Sequence, residues 1–556
     1  MRKIHTPLFL AVLLSVTPVS AQLAAPQLDG KTVYQVLLGE IALQRGSPDV
    51  AAAALAEAAR RTVDPALLSR AIQVASTARR HDLALELAQR WVDVDPDSTH
   101  ARQMLIGMLG ALGRTAEMTP HLRRLLEQEQ SDRPALERSL LLLNRLLAWG
   151  QDKQATYRLV EQVTVPYRDI AEAQFTLGQA ARAAGETDAA LAAARRAQQI
   201  KPDWVQAVML EVQVLGREGV KESIDILGRF LQRNPGATEA RLQRARLLAA
   251  ERRWEEARKE FEAVVAESGE ASEALYPLAV IAAQQHDVEA AEKYFKRLLE
   301  TSFPDRSLVL YQLGVLAEER KDLAAATAYL EQVGPGEYLV SAKARIAQIM
   351  ARQGHYAEAR AFLRGVTASE PQDQARLVVT EAQILRESRD FQGAFDVLET
   401  ALKGQPNEPD LLYDQAMVAE RLNRVDVLEA NMRRVIAIRP ENAHAYNALG
   451  YSLADRNIRL DEARQLIGKA LELAPEDPFI LDSMGWVLYR LGRPEEALKH
   501  LERAYRLRPD PEIAAHMGEV LWVMGRRDEA RRIWREARQK YPDNEVLTAI
   551  VQKFAP

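Results

Sequence analysis

The 556-residue chain contains no cysteine. Disulfides, thiolate nucleophiles and cysteine metal ligands are excluded, and an oxidising compartment would find nothing in the chain to oxidise. Aromatic residues are scarce, at 6%, beside 47% apolar and 27% charged residues, a balance that suits a soluble, helix-rich chain and neither a disordered nor a membrane-spanning one. A formal charge of -5 gives no overall pull toward nucleic acid or an acidic membrane surface. Basic runs such as "GRRDEARRIWREAR" are interrupted by acids, as on a solvated helix face. Beyond the N-terminus no apolar run approaches the roughly 18 residues of a membrane helix. Compact catalytic motifs are also missing. The nine histidines are scattered with no H-E-x-x-H, and neither G-x-S-x-G nor a Walker phosphate loop is present. The "GPG" at Gly334–Gly336 reads as a turn, and pairs such as Glu495 and Glu496 suit the first turn of a helix. The sequence therefore predicts a non-enzymatic protein with no metal, cofactor or catalytic residue and no nucleic-acid partner.

What is present begins with residues 1–21. Arg2 and Lys3 precede an apolar run from Leu8 to Val16, and small residues at Val19, Ser20 and Ala21 complete the pattern of a secretory signal cleaved after Ala21. Its removal would take the charge from -5 to -7 by loss of Arg2 and Lys3. Gln22 stands where a lipoprotein would carry its lipidated cysteine. The expected location is the periplasm, with at most a peripheral association with the outer membrane.

A period dominates the remainder. "GWVLYRLGRPEEALKHLERAYRLRP" (485–509) aligns with the stretches beginning at Gly450 and Gly518; Ala463, Ala497 and Ala530 coincide, and Pro475, Pro509 and Pro542 close the units at intervals of 34 and 33 residues. Glycine and proline cost about 1 and 3 kcal/mol inside a helix. Their places here explain them. Gly485 lets two helices approach, Gly492 ends the first, and Pro509 stops the second. Ala497, Leu501 and Ala504 form a narrow seam at helical spacing. Each unit reads as a helical hairpin that stacks on its neighbours. Gly178, Gly185, Ala190, Ala197 and Pro202 mark another good copy, and weaker ones run along nearly the whole chain.

On these residues the chain resembles the tetratricopeptide-repeat superfamily. The resemblance implies an all-α, right-handed solenoid whose concave inner face is lined by the first helix of each pair. The expected organisation is a signal peptide at 1–21, a flexible lead-in at 22–31, degenerate repeats at 32–166, central repeats at 167–440, and well-formed repeats with a capping helix at 441–556. About thirteen units are expected, with indistinct boundaries in 97–166 and 203–240.

One hairpin cannot bury its own apolar stripe, so neighbours must cover it. In the first helix of the best unit, Leu481, Met484, Gly485 and Leu488 follow one packed face, which leaves Phe479, Asp482, Trp486 and Tyr489 on another stripe. Equivalent positions hold Tyr451, Glu519 and Trp522, and more weakly Phe175, Tyr311 and Tyr413; His444 and His516 lie near the same stripe. Aromatics interleaved with carboxylates suit a peptide bearing Lys or Arg. The same residue types suit stacking on sugar rings, or filling gaps between repeats.

The block from Asn447 to Ala537 looks like the C-terminal region of proteobacterial envelope repeat proteins of the LbcA type. That resemblance implies a protein-protein adaptor that brings a carboxyl-terminal processing protease together with clients such as cell-wall hydrolases. Gln22 departs from that family's lipidated cysteine. The alternative from a different class is a scaffold for exopolysaccharide export or outer-membrane assembly.

Overall fold

The hairpin around Gly492 shows how local chemistry builds one unit. Asp477 accepts hydrogen bonds from the backbone N–H groups of Phe479 and Ile480, and Pro478 starts the helix Pro478–Arg490. Gly492, at φ +76°, turns the chain in the left-handed region. Pro494, Glu495 and Glu496 then open the helix Pro494–Leu507, where acidic side chains complement the helix dipole. Gly485 sets the spacing of the pair. A Cβ there would stand 2.5 Å from Leu501 Cγ and 3.1 Å from the Ala497 carbonyl oxygen, so only hydrogen fits. Ala497, Leu501 and Ala504 are fully buried along the seam.

The structure, a computed structural model, describes residues 29–147, 152–268 and 271–554. The expected signal peptide and residues 22–28 of the lead-in lie outside this range. Asp29 caps a helix that begins at Gly30, so the last residues of the expected lead-in belong to a helix start. Among the described residues there are thirty-one α-helices, one 3-10 turn at Val165–Tyr167, and no strand. Among the described residues the fold is all-α, with most successive helices packed against one another.

Thirty-one helices exceed what thirteen pairs account for. The additional pairing lies where the sequence punctuation is weak: Thr99–Ala111 with Thr115–Gln128, and Val205–Leu215 with Val220–Arg233. Elsewhere the hairpin turn is regular. One residue with positive φ recurs every 33 to 35 residues from Arg252 through His286, Lys321, Gly354, Arg389, Asn423, Asn457 and Gly492 to Gly525. Several of these are not glycine, so the glycine signature is missing from those turns.

The chain divides into two compact units, up to Ala274 and from Leu275. In the first, the core is an alanine- and leucine-rich seam. The helix Pro48–Ala59 buries seven residues, six of them alanine, and Leu68, Ile72, Leu87, Leu105, Leu122 and Leu140 continue the core. In the second, one cluster runs from Ala375 through Leu412, Met432, Leu449, Ile467 and Val487 to Trp534 and Leu547. No described helix is long and apolar enough to cross a membrane.

Candidate functional site

In the second unit, three successive first helices carry the stripe singled out from sequence: Ala443–Asp455, Pro478–Arg490 and Pro511–Val523. Their side chains meet one another. The His516 ring stacks on Trp486 at a centroid distance of 4.3 Å, and its Nδ1 lies 3.0 and 2.9 Å from the two carboxylate oxygens of Asp482. Tyr451 approaches the same ring at 6.2 Å from two units away. Burial alone would lower the His516 pKa; the Asp482 carboxylate outweighs it, and the net direction is upward. Tyr489 donates to Glu519 at 3.2 Å, and burial together with that carboxylate pushes its phenol up to about 12. The Tyr451 phenol is also pushed upward, chiefly by burial.

This corrects the expectation of an open aromatic wall. Asp482, Trp486 and Glu519 are only 7%, 5% and 5% exposed, so they join the packing between units. The physical reason is that side chains of consecutive first helices meet: Trp486 and Asp482 are covered by His516, and Tyr489 by Glu519. Tyr451 and Tyr489 are half-buried. Trp522 packs instead in tilted contact with Trp534 and Phe554. Phe479 alone remains exposed, at 44%, with the Arg508 guanidinium 5.1 Å above its ring.

Open space lies earlier in the same unit, on the first helices Arg306–Glu319, Leu339–Arg352, Pro371–Glu387 and Pro409–Arg421. A cleft of about 380 Å³ is lined by Arg376, Val379, Asp410, Tyr413, Asp414 and His444. Tyr413 and Asp414 also line an adjoining cleft of about 600 Å³ with Gln383 and Arg386, and Arg376 continues into one of about 850 Å³ that reaches Tyr338 and Tyr311. Together they form a groove along the first-helix face. Arg386 donates to Asp414 at 3.0 Å, Arg439 to Asp410 at 2.7 Å, and Arg376 to the Ser341 hydroxyl. Burial raises the Asp414 pKa against the pull of Arg386. Tyr311 accepts from Arg345 Nε at 3.0 Å and packs on Tyr338 at 5.5 Å.

Tyr311, Tyr413 and His444 were legible as stripe positions, whereas Arg376, Arg386 and Asp414 were missed. A signal existed: Gln372, Arg376, Val379, Gln383 and Arg386 recur at steps of four and three, the spacing of one helix face. Phe175, in the first unit, packs in tilted contact with Trp204 at a centroid distance of 4.8 Å. Among the described residues no group of three or more His, Asp or Glu side chains is arranged to hold a metal ion. The arrangement combines an open cleft, aromatic area and paired charge.

A family model described as tetratricopeptide repeat matches residues 36–99, 157–203, 215–273, 242–307, 276–336 and 379–427, together just over half of the chain. Two further models of the same description match 478–511 and 516–544. The TPR repeat-containing protein PA4667 of Pseudomonas aeruginosa is 40% identical over 179 residues. That match covers 32% of this chain and 30% of PA4667, so the likeness spans less than a third of the relative's length. Among solved structures, the thermophilic TPR protein TTC0263 of Thermus thermophilus is 26% identical, covering 33% of this chain and 98% of its own, with a TM-score of 0.30. A tetratricopeptide repeat protein from Parabacteroides merdae is 15% identical, covering 45% of this chain and 99% of its own, with a TM-score of 0.37.

Proposed function

The chain belongs to the tetratricopeptide-repeat family, whose members are generally protein-protein interaction scaffolds, and from that premise we propose that it works as a non-enzymatic adaptor in the bacterial periplasm. The groove along the first helices from Tyr311 to His444 is its partner-binding face. The observation that carries this reading is the contiguity of the three clefts through Arg376, Tyr413 and Asp414. Stacked repeats present such extended faces without any catalytic group. Holding two proteins on one scaffold raises their effective concentration toward one another.

The finer assignment is an adaptor for a carboxyl-terminal processing protease and its cell-wall hydrolase clients. It is supported by the resemblance of the terminal block, and the exported location by the pattern of residues 1–21. Crosslinking in the cell envelope followed by quantitative mass spectrometry tests it. A protease of that class should be enriched with the wild-type chain and depleted with R376E/Y413A. Enrichment of exopolysaccharide-synthase or porin components would replace the adaptor with an assembly scaffold. Equal recovery by wild type and variant would remove the groove from the account.

A further inference from the structure

Between the helices Arg527–Lys540 and Glu545–Phe554 lies a further cleft, of about 760 Å³. Its floor is aromatic: Trp522 and Trp534 lie 5.8 Å apart, and Phe554 lies 6.3 Å from the first and 6.2 Å from the second. Val551 and Pro542 complete the apolar lining. Its rim is basic. Arg531, Arg535 and Arg538 line it, and with Arg527 they fall at steps of four, four and three along one helix face.

These guanidiniums lack the partners that comparable arginines have. Along earlier second helices of the same unit, Arg433 meets Glu429 and Glu462, Arg439 meets Asp410, and Arg503 approaches Glu476. Here Arg527 and Arg531 sit 5.2 Å above the Trp522 ring. Arg531 otherwise has only Asp528, at 3.3 Å with that carboxylate fully exposed, a pair of little energetic consequence. For Arg535 and Arg538 there is no carboxylate partner among the described residues. An apolar floor beside a row of unanswered cations is complementary to a ligand that is apolar on one side and anionic on the other.

We propose that this cleft is a docking surface for an acidic amphipathic helix of a partner protein. Its apolar side chains pack over Trp522, Val551 and Phe554. Its carboxylates, spaced one helical turn apart, meet Arg531, Arg535 and Arg538 in charge-assisted hydrogen bonds. The helical form follows from the matched spacing: carboxylates every three or four residues face guanidiniums every three or four residues. This surface is distinct from the groove on the first helices, and either can exist without the other.

The test uses the full chain and two fluorescein-labelled synthetic helical peptides that share a leucine stripe. One carries glutamate on the flanking positions and the other lysine. By fluorescence anisotropy the glutamate peptide should bind and the lysine peptide should not, and added salt should weaken the binding. The exposed double substitution R535E/R538E should reduce affinity about tenfold or more while leaving the circular dichroism unchanged. R535K/R538K should retain part of the affinity, and R376E should retain all of it. Binding of both peptides alike, no binding of the glutamate peptide, wild-type affinity in R535E/R538E, or loss of binding in R376E would each overturn the assignment.

Discussion

At the scale of single residues, Trp486 marks where partner surface ends and core begins. A tryptophan 5% exposed and stacked on a buried His516–Asp482 pair is packing, so Trp486→Ala should destabilise the second unit by about 3–5 kcal/mol in denaturant unfolding. Phe479→Ala, on a ring 44% exposed, should change stability by no more than about 0.5 kcal/mol. Gly518 offers a different check. A Cβ there would fall 2.0 Å from Trp534 Nε1, so Gly518→Ala should cost about 1–3 kcal/mol by overpacking. Arg389 holds a left-handed turn at φ 63° that glycine adopts freely, and Arg389→Gly should stabilise by about 1 kcal/mol. The glycines at 450, 485 and 518 were legible because their spacing repeats. The Asp482–His516 contact was legible in principle, since the two residues are one period of 34 apart. It was missed because each stripe position was considered on its own helix, while the partners lie on the next.

At the scale of helices, ion pairs tie one hairpin to the next. Glu429, on the helix Val425–Ile438, accepts from Arg459 and Arg433, and Arg433 also reaches Glu462 on the following second helix. Arg459 foremost, then Arg433, holds the Glu429 pKa down to about 2 from its usual 4.5. A carboxylate depressed on folding adds stability that is fully present above its unfolded pKa and is lost as pH falls through the folded one. Thermal melts of the chain should therefore lose a contribution between about pH 4.5 and 2 that Glu429→Gln lacks. A pH profile identical in wild type and variant would refute the linkage. Helix positions followed from punctuation wherever glycine and proline marked both ends. They blurred where Arg252, His286, Lys321 or Asn423 takes the left-handed turn in place of glycine, because the backbone geometry persists while the residue signature disappears.

At the scale of the molecule, each hairpin is covered by its neighbours within its unit, and the proposed partner face is the one left uncovered. The all-α architecture and the period were readable from the sequence. The location of the open face was not, because burial depends on which side chains meet across successive first helices, and a single sequence does not give those pairings. Side chains meeting across consecutive first helices bury the stripe at Asp482, Trp486 and Glu519, whereas the groove around Arg376, Tyr413 and Asp414 stays open. Hydrogen–deuterium exchange of the chain, free and bound to the protein recovered by crosslinking, tests this most directly. Slower exchange should appear in the helices Leu339–Arg352, Pro371–Glu387 and Pro409–Arg421, with Pro478–Arg490 unchanged on binding. Protection centred on Pro478–Arg490, or confined to the second helices, would contradict it.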